Sequence, residues 1–399
     1  MSSTLKNKIA LIKAIASNPQ IIKVDPAINW FLTKYMNKFS LQNVQGQLVL
    51  HSHLPVINSK AFTRFIDEHL LAKTVGPSHA QIGLTSACPQ NCSYCYNKNR
   101  VGRQMDTETI KRVITELKKM GVVWLGFTGG EPLLNKDIVD IVKSAGNDCA
   151  LKLFTTGTNL TEQLASDLRE AGLLYVSVSL DHWQEDEHDR ARGCQGAYKT
   201  ALRALDIFKN TEGIHISVSA VVSKDMLQKN QVEEFIQFLL KLNIHEVWLS
   251  EAKPSGEAFW KKDAVITAEE QRHLIELQDK YNKSGKVTIN YLGHFESKEH
   301  FGCNAGNKMV YVDAFGEVSP CVFTPMTFGN VRDKSVQAIF SEMKRWFPSE
   351  GRCFINKNYE LLQKHYHGKM PLSEEDTQLL MQEVRFAPQA KFFQLYYKR

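Results

Sequence analysis

Three cysteines stand close together in the run CPQNCSYC, where Cys88, Cys92 and Cys95 fall within eight residues. The run follows QIGLTS at 81–86, which has the apolar pattern of a buried strand. A structural zinc ion takes four ligands, and a four-iron cluster normally takes one cysteine per iron. Because no fourth ligand stands nearby, the spacing leaves three alternatives: an iron–sulfur cluster with one open iron, a zinc site, or incidental cysteines.

A second candidate site is Gly129-Gly130-Glu131-Pro132, which follows the strand-like run VVWLGFT at 122–128. Glycines let a backbone approach a ligand closely, and a carboxylate can accept hydrogen bonds from an ammonium group. Alone, the motif also suits an ordinary turn from a strand into a helix. Its place one strand along from the cysteines puts both motifs at the same end of a predicted sheet.

A third group of cysteines lies far along the chain, at Cys303, Cys321 and Cys353. Cys303 and Cys321 flank Gly316 in the spacing C-x12-G-x4-C. A turn at Phe315-Gly316 would form a hairpin that brings Cys303 and Cys321 together. Of the other cysteines, Cys149 precedes a strand and is interpreted as a small buried hydrophobic residue.

The elements that must position these residues alternate between strand and helix from residue 79 onward. The strand-like runs are 81–86, 122–128, 151–156, 174–180, 214–222 and 245–250. The helical patterns between them cover 106–120, 161–171, 198–209 and 230–242. This alternation indicates βα units and a parallel sheet, in which chemistry collects at the carboxyl ends of the strands. Six units are fewer than the eight of a complete barrel, so we predict an α/β fold with a partial (β/α)6 TIM-like barrel.

The chain divides into four predicted regions. The N-terminal one is a helical and hairpin appendage, with Leu5, Ile9 and Ile12 at helical spacing, two strands around Gln45-Gly46, and a helix that Ser59 caps and that ends near Leu71. After residue 255 the alternation stops, and short strands are expected at 287–292 and around 309–322. The regions are the appendage 1–78, the barrel 79–255, a second unit 256–355 and a helical tail 356–399.

Composition narrows the class of protein. With 399 residues, 43% hydrophobic and 23% charged, the chain is globular and not disordered. Its net charge of +6 is too small to argue for nucleic-acid binding. No stretch is long and apolar enough to span a membrane, and the start has no convincing secretory cleavage pattern, so a cytoplasmic location is expected. The eight cysteines are therefore expected as thiols or metal ligands and not as disulfides.

The cysteine spacing, with Tyr94 as the aromatic residue of C-x3-C-x-aromatic-C, and the GGEP motif together resemble the radical S-adenosylmethionine (radical SAM) superfamily over residues 80–255. The resemblance implies that the three cysteines bind a 4Fe-4S cluster whose open iron takes the amino and carboxylate groups of S-adenosylmethionine (SAM). An electron from the cluster would cleave SAM to methionine and a 5′-deoxyadenosyl radical, which abstracts hydrogen from a substrate C–H. The implied residues are Cys88, Cys92 and Cys95 on the cluster, Gly129, Gly130 and Glu131 at the amino group, and Tyr94 at the adenine side.

Further matches follow the fourth strand. The resemblance implies that Ser179 contacts the ribose or methionine end of SAM and that Arg192 binds its carboxylate, with a surface ion pair as the alternative for Arg192. Cys194 follows closely; its thiol is a candidate hydrogen-atom donor to a substrate radical, with a plain loop residue as the alternative. Asp181, His182 and Trp183 lie near the same opening of the predicted active site.

The third cysteine group resembles the opening of the auxiliary-cluster domains named SPASM and Twitch, although it has fewer cysteines than a full SPASM domain. The resemblance implies one auxiliary iron–sulfur cluster on Cys303, Cys321 and Cys353. Its fourth iron would bind substrate, water, or a side chain such as His365 or His367, which otherwise are plain surface residues. The alternative is a domain that keeps the hairpin and binds no metal.

These resemblances imply an enzyme of radical chemistry, in an oxidoreductase or bond-forming class. We expect modification of a peptide or protein, as on ribosomally made peptides, because SPASM-like enzymes commonly do this. A lipid or small-molecule natural product is the alternative substrate, and a non-catalytic iron–sulfur redox-sensing or binding protein is the second alternative. The expected partners are the substrate and an electron donor such as flavodoxin or ferredoxin, no nucleic acid, and, in the lipid alternative, a peripheral membrane contact through residues 1–40.

Overall fold

The computed structural model describes residues 16–39, 41–256, 265–283, 285 and 287–398. The predicted helix with Leu5, Ile9 and Ile12 lies outside these residues. Within the described ranges, no helix combines the length and the apolar character needed to cross a lipid bilayer.

A nine-stranded sheet forms the centre of the molecule, and a separate two-stranded hairpin lies in the appendage. The strands are β1 (Gln42–Val44), β2 (Gln47–Val49), β3 (His79–Gly83), β4 (Trp124–Thr128), β5 (Ala150–Thr155), β6 (Tyr175–Ser179), β7 (His215–Val222), β8 (Glu246–Glu251), β9 (Thr288–Tyr291), β10 (Met309–Val312) and β11 (Val318–Ser319). The large sheet has the order β11-β10-β3-β4-β5-β6-β7-β8-β9, and every neighbouring pair is parallel except β10 with β11. The α/β class with an open parallel sheet is therefore confirmed.

Most helices pack their apolar faces against the sheet, and those at 26–36, 60–64 and 391–396 form a separate apolar cluster in the appendage. The helices are α1 (Pro26–Met36), α2 (Lys60–Arg64), α3 (Thr107–Lys119), α4 (Ile138–Ala145), α5 (Glu162–Glu170), α6 (Glu185–Arg192), α7 (Ala197–Asn210), α8 (Lys224–Gln228), α9 (Val232–Leu240), α10 (Ala268–Asn282), α11 (Leu292–Phe295), α12 (Val336–Lys344), α13 (Phe354–Lys364), α14 (Glu374–Glu383) and α15 (Lys391–Tyr396). In α3 the predicted stripe Ile110, Val113, Ile114 and Leu117 is fully buried, and the Asp106 carboxylate caps the helix by accepting from Thr109 N at 2.8 Å.

The sheet continues past the predicted end of the barrel at residue 255. β9 pairs in parallel with β8, and β10 pairs in parallel with β3, so the region 256–355 supplies strands to both edges of the sheet. The short strands expected there do form, with the predicted turn at Phe315-Gly316, but they extend the barrel sheet. A single hydrophobic core consequently joins barrel residues such as Leu125 to Phe354 of α13.

The appendage closes the amino-terminal end of the barrel. Its hairpin turns at Gln45-Gly46 as predicted, and Ser59 caps α2, which continues as a π-helical turn, Phe65–Leu71. Behind the hairpin, Ser52 N lies 3.0 and 3.1 Å from the two carboxylate oxygens of Glu246, and Ser52 Oγ accepts from buried Lys152 Nζ at 2.6 Å. Because the appendage closes the amino-terminal end of the barrel, we expect the reactive groups at the carboxyl ends of the strands.

Protonation of His51, in the appendage, should destabilise the fold. Burial, followed by the nearby His79 and Lys152, lowers the pKa of His51 to about 3. A base with a folded pKa below its unfolded one binds fewer protons when folded, so stability falls as pH falls from about 6.5 toward about 3. As the pH falls from about 6.5 to about 5, we predict that the parent loses about 1–2 kcal/mol more of its free energy of unfolding than His51→Gln does. Urea unfolding at each pH measures this difference.

The control for this prediction is His367→Gln, which changes a side chain that is 72% exposed. It should lose stability with falling pH as the parent does. If His51→Gln followed the same curve as the parent, the titration of His51 would not contribute to acid sensitivity.

Candidate active site

Two backbone hydrogen bonds fix the cysteine loop against the Gly-Gly-Glu motif. Gly130 N donates to Thr85 O and Glu131 N donates to Ala87 O, both at 2.7 Å. A Cβ on Gly130 would lie 2.2 Å from Ala87 O, and one on Gly129, which has a φ of +126°, would lie 2.4 Å from Thr85 O. The two glycines are therefore required by the segment that leads into Cys88.

Glu131 has a structural role that differs from the sequence expectation. Its side chain is fully buried, and its carboxylate accepts from Leu133 N at 2.9 Å, Thr155 Oγ1 at 2.7 Å, Thr156 N at 2.6 Å and Thr156 Oγ1 at 2.5 Å. Burial raises the pKa of Glu131, and these four donors oppose that rise. Four donors fill the acceptor capacity of a carboxylate, so this side chain ties β4 to the end of β5 and is not free for an ammonium group.

The three thiols of the cysteine loop lie near one another. Cys88 is exposed, Cys92 is buried and Cys95 is partly buried, with Cys95 N donating to Cys92 O at 3.3 Å. The thiols of Cys92 and Cys95 are close enough to Cys88 to act on it electrostatically. Among the described residues, no group of three or more His, Cys, Asp or Glu is gathered tightly enough for one metal ion. A donor set made only of thiols on one loop fits an iron–sulfur cluster.

Arg192 forms an ion pair with Asp181. Its Nη2 donates to Asp181 Oδ1 at 2.9 Å, and its Nε lies 2.8 Å from Asp181 Oδ2. The pair is buried and so is not the surface ion pair of the alternative, while the contact of Arg192 with the SAM carboxylate stays a prediction. Its remaining nitrogen, Nη1, lies 4.0 Å from Cys92 Sγ. The guanidinium therefore connects Asp181 to a cluster-binding thiol.

Tyr94 completes this group. Its hydroxyl donates to the same carboxylate of Asp181, and its ring lies 5.6 Å from the guanidinium carbon of Arg192. Val221 N donates to Asp181 Oδ1 at 2.9 Å, so the carboxylate also holds the end of β7. From the sequence, Asp181 was expected only near the opening of the active site. Its position two residues after the end of β6 was the signal that it lies at the rim of the barrel.

A cavity of about 250 Å³ opens beside this group, and we name it the rim cavity. Its lining includes Tyr94, Asp181 and His182, and the His182 ring stacks on Trp183 at 4.1 Å. Ser179 ends β6, opposite Ser219 of β7. Cys194 does not line any of the three cavities described for this chain, and its Sγ lies 3.7 Å from Gln195 O. The structure therefore gives no support to Cys194 as a hydrogen-atom donor.

The structure brings Cys303, Cys321 and Cys353 together. Cys303 is buried and acts electrostatically with both other thiols, which are partly buried. His365 and His367 lie elsewhere: His365 Nε2 is 2.7 Å from Glu383 Oε1, and His367 Nε2 is 3.5 Å from Asp376 Oδ1. Both histidines pair with carboxylates of α14, and Cys353 and His365 flank opposite ends of α13, so the structure does not bring either histidine to the auxiliary cysteines.

A cavity of about 190 Å³, the barrel cavity, joins the barrel interior to these cysteines. On the barrel side it is lined by Gln81, Phe154, Ser219 and Trp248, and on the other side by Cys303, Cys321 and Cys353. Gln81 Oε1 and Asn304 Oδ1, which belong to lining residues, are buried with no hydrogen-bond partner. Unpaired buried acceptors are costly, so these two indicate a ligand that donates hydrogen bonds.

Comparisons with known proteins identify two family matches. Residues 82–244 match the model of the radical SAM superfamily, and residues 303–361 match that of an iron–sulfur cluster-binding domain, SPASM. An AdoMet-dependent heme synthase of Methanosarcina barkeri is 26% identical over 320 residues, which are 72% of this chain and 90% of the synthase. A PqqA peptide cyclase of Bradyrhizobium diazoefficiens is 28% identical over 279 residues, which are 65% of this chain and 72% of the cyclase.

Solved structures share the fold. Streptococcus suis SuiB bound to precursor peptide SuiA superposes with a TM-score of 0.56 at 16% identity, covering 80% of this chain and 79% of SuiB. The anSMEcpe protein with bound AdoMet and the Cp18Cys peptide gives a TM-score of 0.52 at 16% identity, covering 80% of this chain and 94% of that one. The predicted partial barrel is therefore confirmed.

Gly130→Ala should displace the cysteine loop, because its Cβ would lie 2.2 Å from Ala87 O. We expect iron content after anaerobic reconstitution to fall by about four irons per chain, with the far-ultraviolet circular dichroism unchanged. Gly256→Ala is the matched control, since its Cβ would only touch Cys95 O at an ordinary 3.6 Å. Full iron binding by Gly130→Ala would show that this contact does not position the cysteines.

Proposed function

Because the chain belongs to the radical SAM superfamily and carries a SPASM iron–sulfur domain, we propose that it is an enzyme that cleaves SAM reductively and abstracts hydrogen from a peptide substrate. The observation that carries the proposal is the barrel cavity. It runs from the interior of the barrel to Cys303, Cys321 and Cys353, so a substrate there would lie inside the barrel and next to the auxiliary cluster.

The cysteine loop would hold the first cluster through Cys88, Cys92 and Cys95, with one iron left open. When bound, such a cluster supplies the electron that splits the sulfonium C–S bond of SAM, leaving a 5′-deoxyadenosyl radical. The rim cavity beside Tyr94 supports a place for the nucleoside, and Gly129 and Gly130 remain the candidates for the amino group. Ser179 stays a candidate contact for the ribose or methionine end.

Arg192 acts through its neighbours in this proposal. With two nitrogens on Asp181, it keeps a positive charge 4.0 Å from Cys92 Sγ. A cation beside a thiolate ligand stabilises its negative charge, so Arg192 would favour the deprotonated form that binds iron. We therefore assign it a positioning and charge-balancing role.

A peptide substrate is favoured by two features. Gln81 Oε1 and Asn304 Oδ1 are unpaired acceptors that amide N–H groups could satisfy. One relative is named a PqqA peptide cyclase, and a structural neighbour was solved with the precursor peptide SuiA. An electron donor such as flavodoxin or ferredoxin is part of the proposal.

Cys92→Ala should abolish release of 5′-deoxyadenosine from SAM under dithionite, because the open-iron cluster loses one of its three ligands. We expect a loss of at least about a hundredfold, with the fold retained since the loop lies at the rim. Cys149→Ala is the control: its thiol donates to Val122 O at 3.2 Å in the core, away from the loop, and cleavage should persist. Cleavage by Cys92→Ala at the parent rate would refute the assignment.

A second candidate function, modification of an apolar molecule, is supported by another cavity. This apolar cavity of about 300 Å³ lies between α1, the 62–70 segment and α15. Leu32, Ile66, Leu70, Phe301 and Phe393 are among its lining residues. It shares His53, His79, Phe295, Asn304 and Lys308 with the barrel cavity, so an apolar chain held there would adjoin the reaction space.

Filling the apolar cavity distinguishes the two functions. Leu70→Trp adds bulk at a buried lining residue, and it should weaken binding of a fluorescent fatty-acid analogue about tenfold or more if the cavity accepts apolar chains. Leu379→Trp, at a residue 46% exposed on α14, is the control. No binding of the analogue by the parent protein would remove the apolar substrate and leave the peptide.

A further inference from the structure

The auxiliary cysteines lie beside a carboxylate that no sequence motif announces. Glu296 follows α11, and it lines the barrel cavity together with Cys353. It acts electrostatically on Cys303 and Cys321 as well. Like the three thiols, Glu296 lines the barrel cavity, and its side chain is only 16% exposed. One carboxylate therefore borders the same cavity as all three cysteines.

A buried lysine holds this carboxylate in place. Lys253 Nζ lies 2.8 Å from Glu296 Oε2 and 2.9 Å from Glu251 Oε1, and the lysine side chain is fully buried. Asn356 Nδ2 donates to Glu251 Oε1 at 3.0 Å, so Glu251 is secured from the other side. Of the two carboxylates, Glu296 is the one that lines the cavity with the cysteines.

Three cysteines supply three of the four ligands that a four-iron cluster needs. A carboxylate is an established iron ligand in proteins. We propose that Glu296 is the fourth, non-cysteine ligand of the auxiliary cluster, oriented by Lys253. The cluster then has no open iron, and the substrate contacts it without ligating it.

This inference rests on the SPASM cluster and does not depend on the identity of the substrate. It is tested in full-length protein in which Cys88, Cys92 and Cys95 are replaced by alanine, so that the auxiliary cluster alone is observed. The variants are Glu296→Gln, Glu296→Cys and, as the matched control, Glu251→Gln, which loses a carboxylate on the same lysine. The readouts are iron and sulfide content, electron paramagnetic resonance and the reduction potential.

We expect Glu296→Gln to lose about one iron per cluster and to show a three-iron signal when oxidised. Any four-iron cluster that remains should have a more positive potential, because a neutral amide replaces an anionic ligand. Glu296→Cys should restore four irons, and Glu251→Gln should match the parent in iron content. Glu296→Cys also guards against loss of folding as the cause, since it restores a ligand at the same position.

Two results would overturn the inference. One is a Glu296→Gln protein whose iron content, spectrum and potential equal those of Glu251→Gln. The other is an absence of iron in the parent background, which would leave Glu296 with no cluster to ligate. Neither result alters cleavage of SAM in the protein that retains Cys88, Cys92 and Cys95, so failure here and failure of the proposed function are distinguishable.

Discussion

The close contact between residues 129–131 and residues 85–87 is the constraint on which the site depends. β3 and β4 are neighbours that end at the same level, and two hydrogen bonds of 2.7 Å join the segments that follow them. Side chains at 129 and 130 would prevent this approach, which explains the two glycines. Glu131 extends the same network to Thr155 and Thr156 beyond β5. The cysteine loop is thus positioned by backbone contacts at the ends of β3 and β4, and the Glu131 carboxylate ties these ends to β5.

The second constraint is that an open sheet has two edges, and the region after residue 255 covers both. β9 lengthens one edge and β10 the other, so the barrel and the SPASM region share one sheet and one core. A buried ion pair, Arg100 Nη1 to Asp313 Oδ2 at 2.9 Å, joins the segment after the cysteine loop to the turn between β10 and β11.

Much of this structure could be predicted from the sequence because the signals were local. Alternating apolar runs gave the strands and helices, and the cysteine spacing with GGEP indicated the cluster loop. Contacts between distant residues could not be predicted in this way. The guanidinium of Arg192 indicated an anion-binding residue. Its partner, Asp181, can be identified only from the folded structure, in which the end of β6 lies against α6. Glu296 belongs to no motif, and it shares a cavity with Cys353 only in the folded chain, where it follows β9 and α11. His365 and His367 are residue types that bind metals, but both lie after α13 and pair with α14, away from the auxiliary cysteines.

The most direct test of the central claim is the electron paramagnetic resonance spectrum of the reduced cluster on Cys88, Cys92 and Cys95, with Cys303, Cys321 and Cys353 replaced by alanine. The spectrum is recorded before and after SAM is added. Our account predicts a four-iron signal that changes on addition, because the amino and carboxylate groups of SAM would bind the open iron. A signal that SAM leaves unchanged, or a loop that holds zinc, would contradict it.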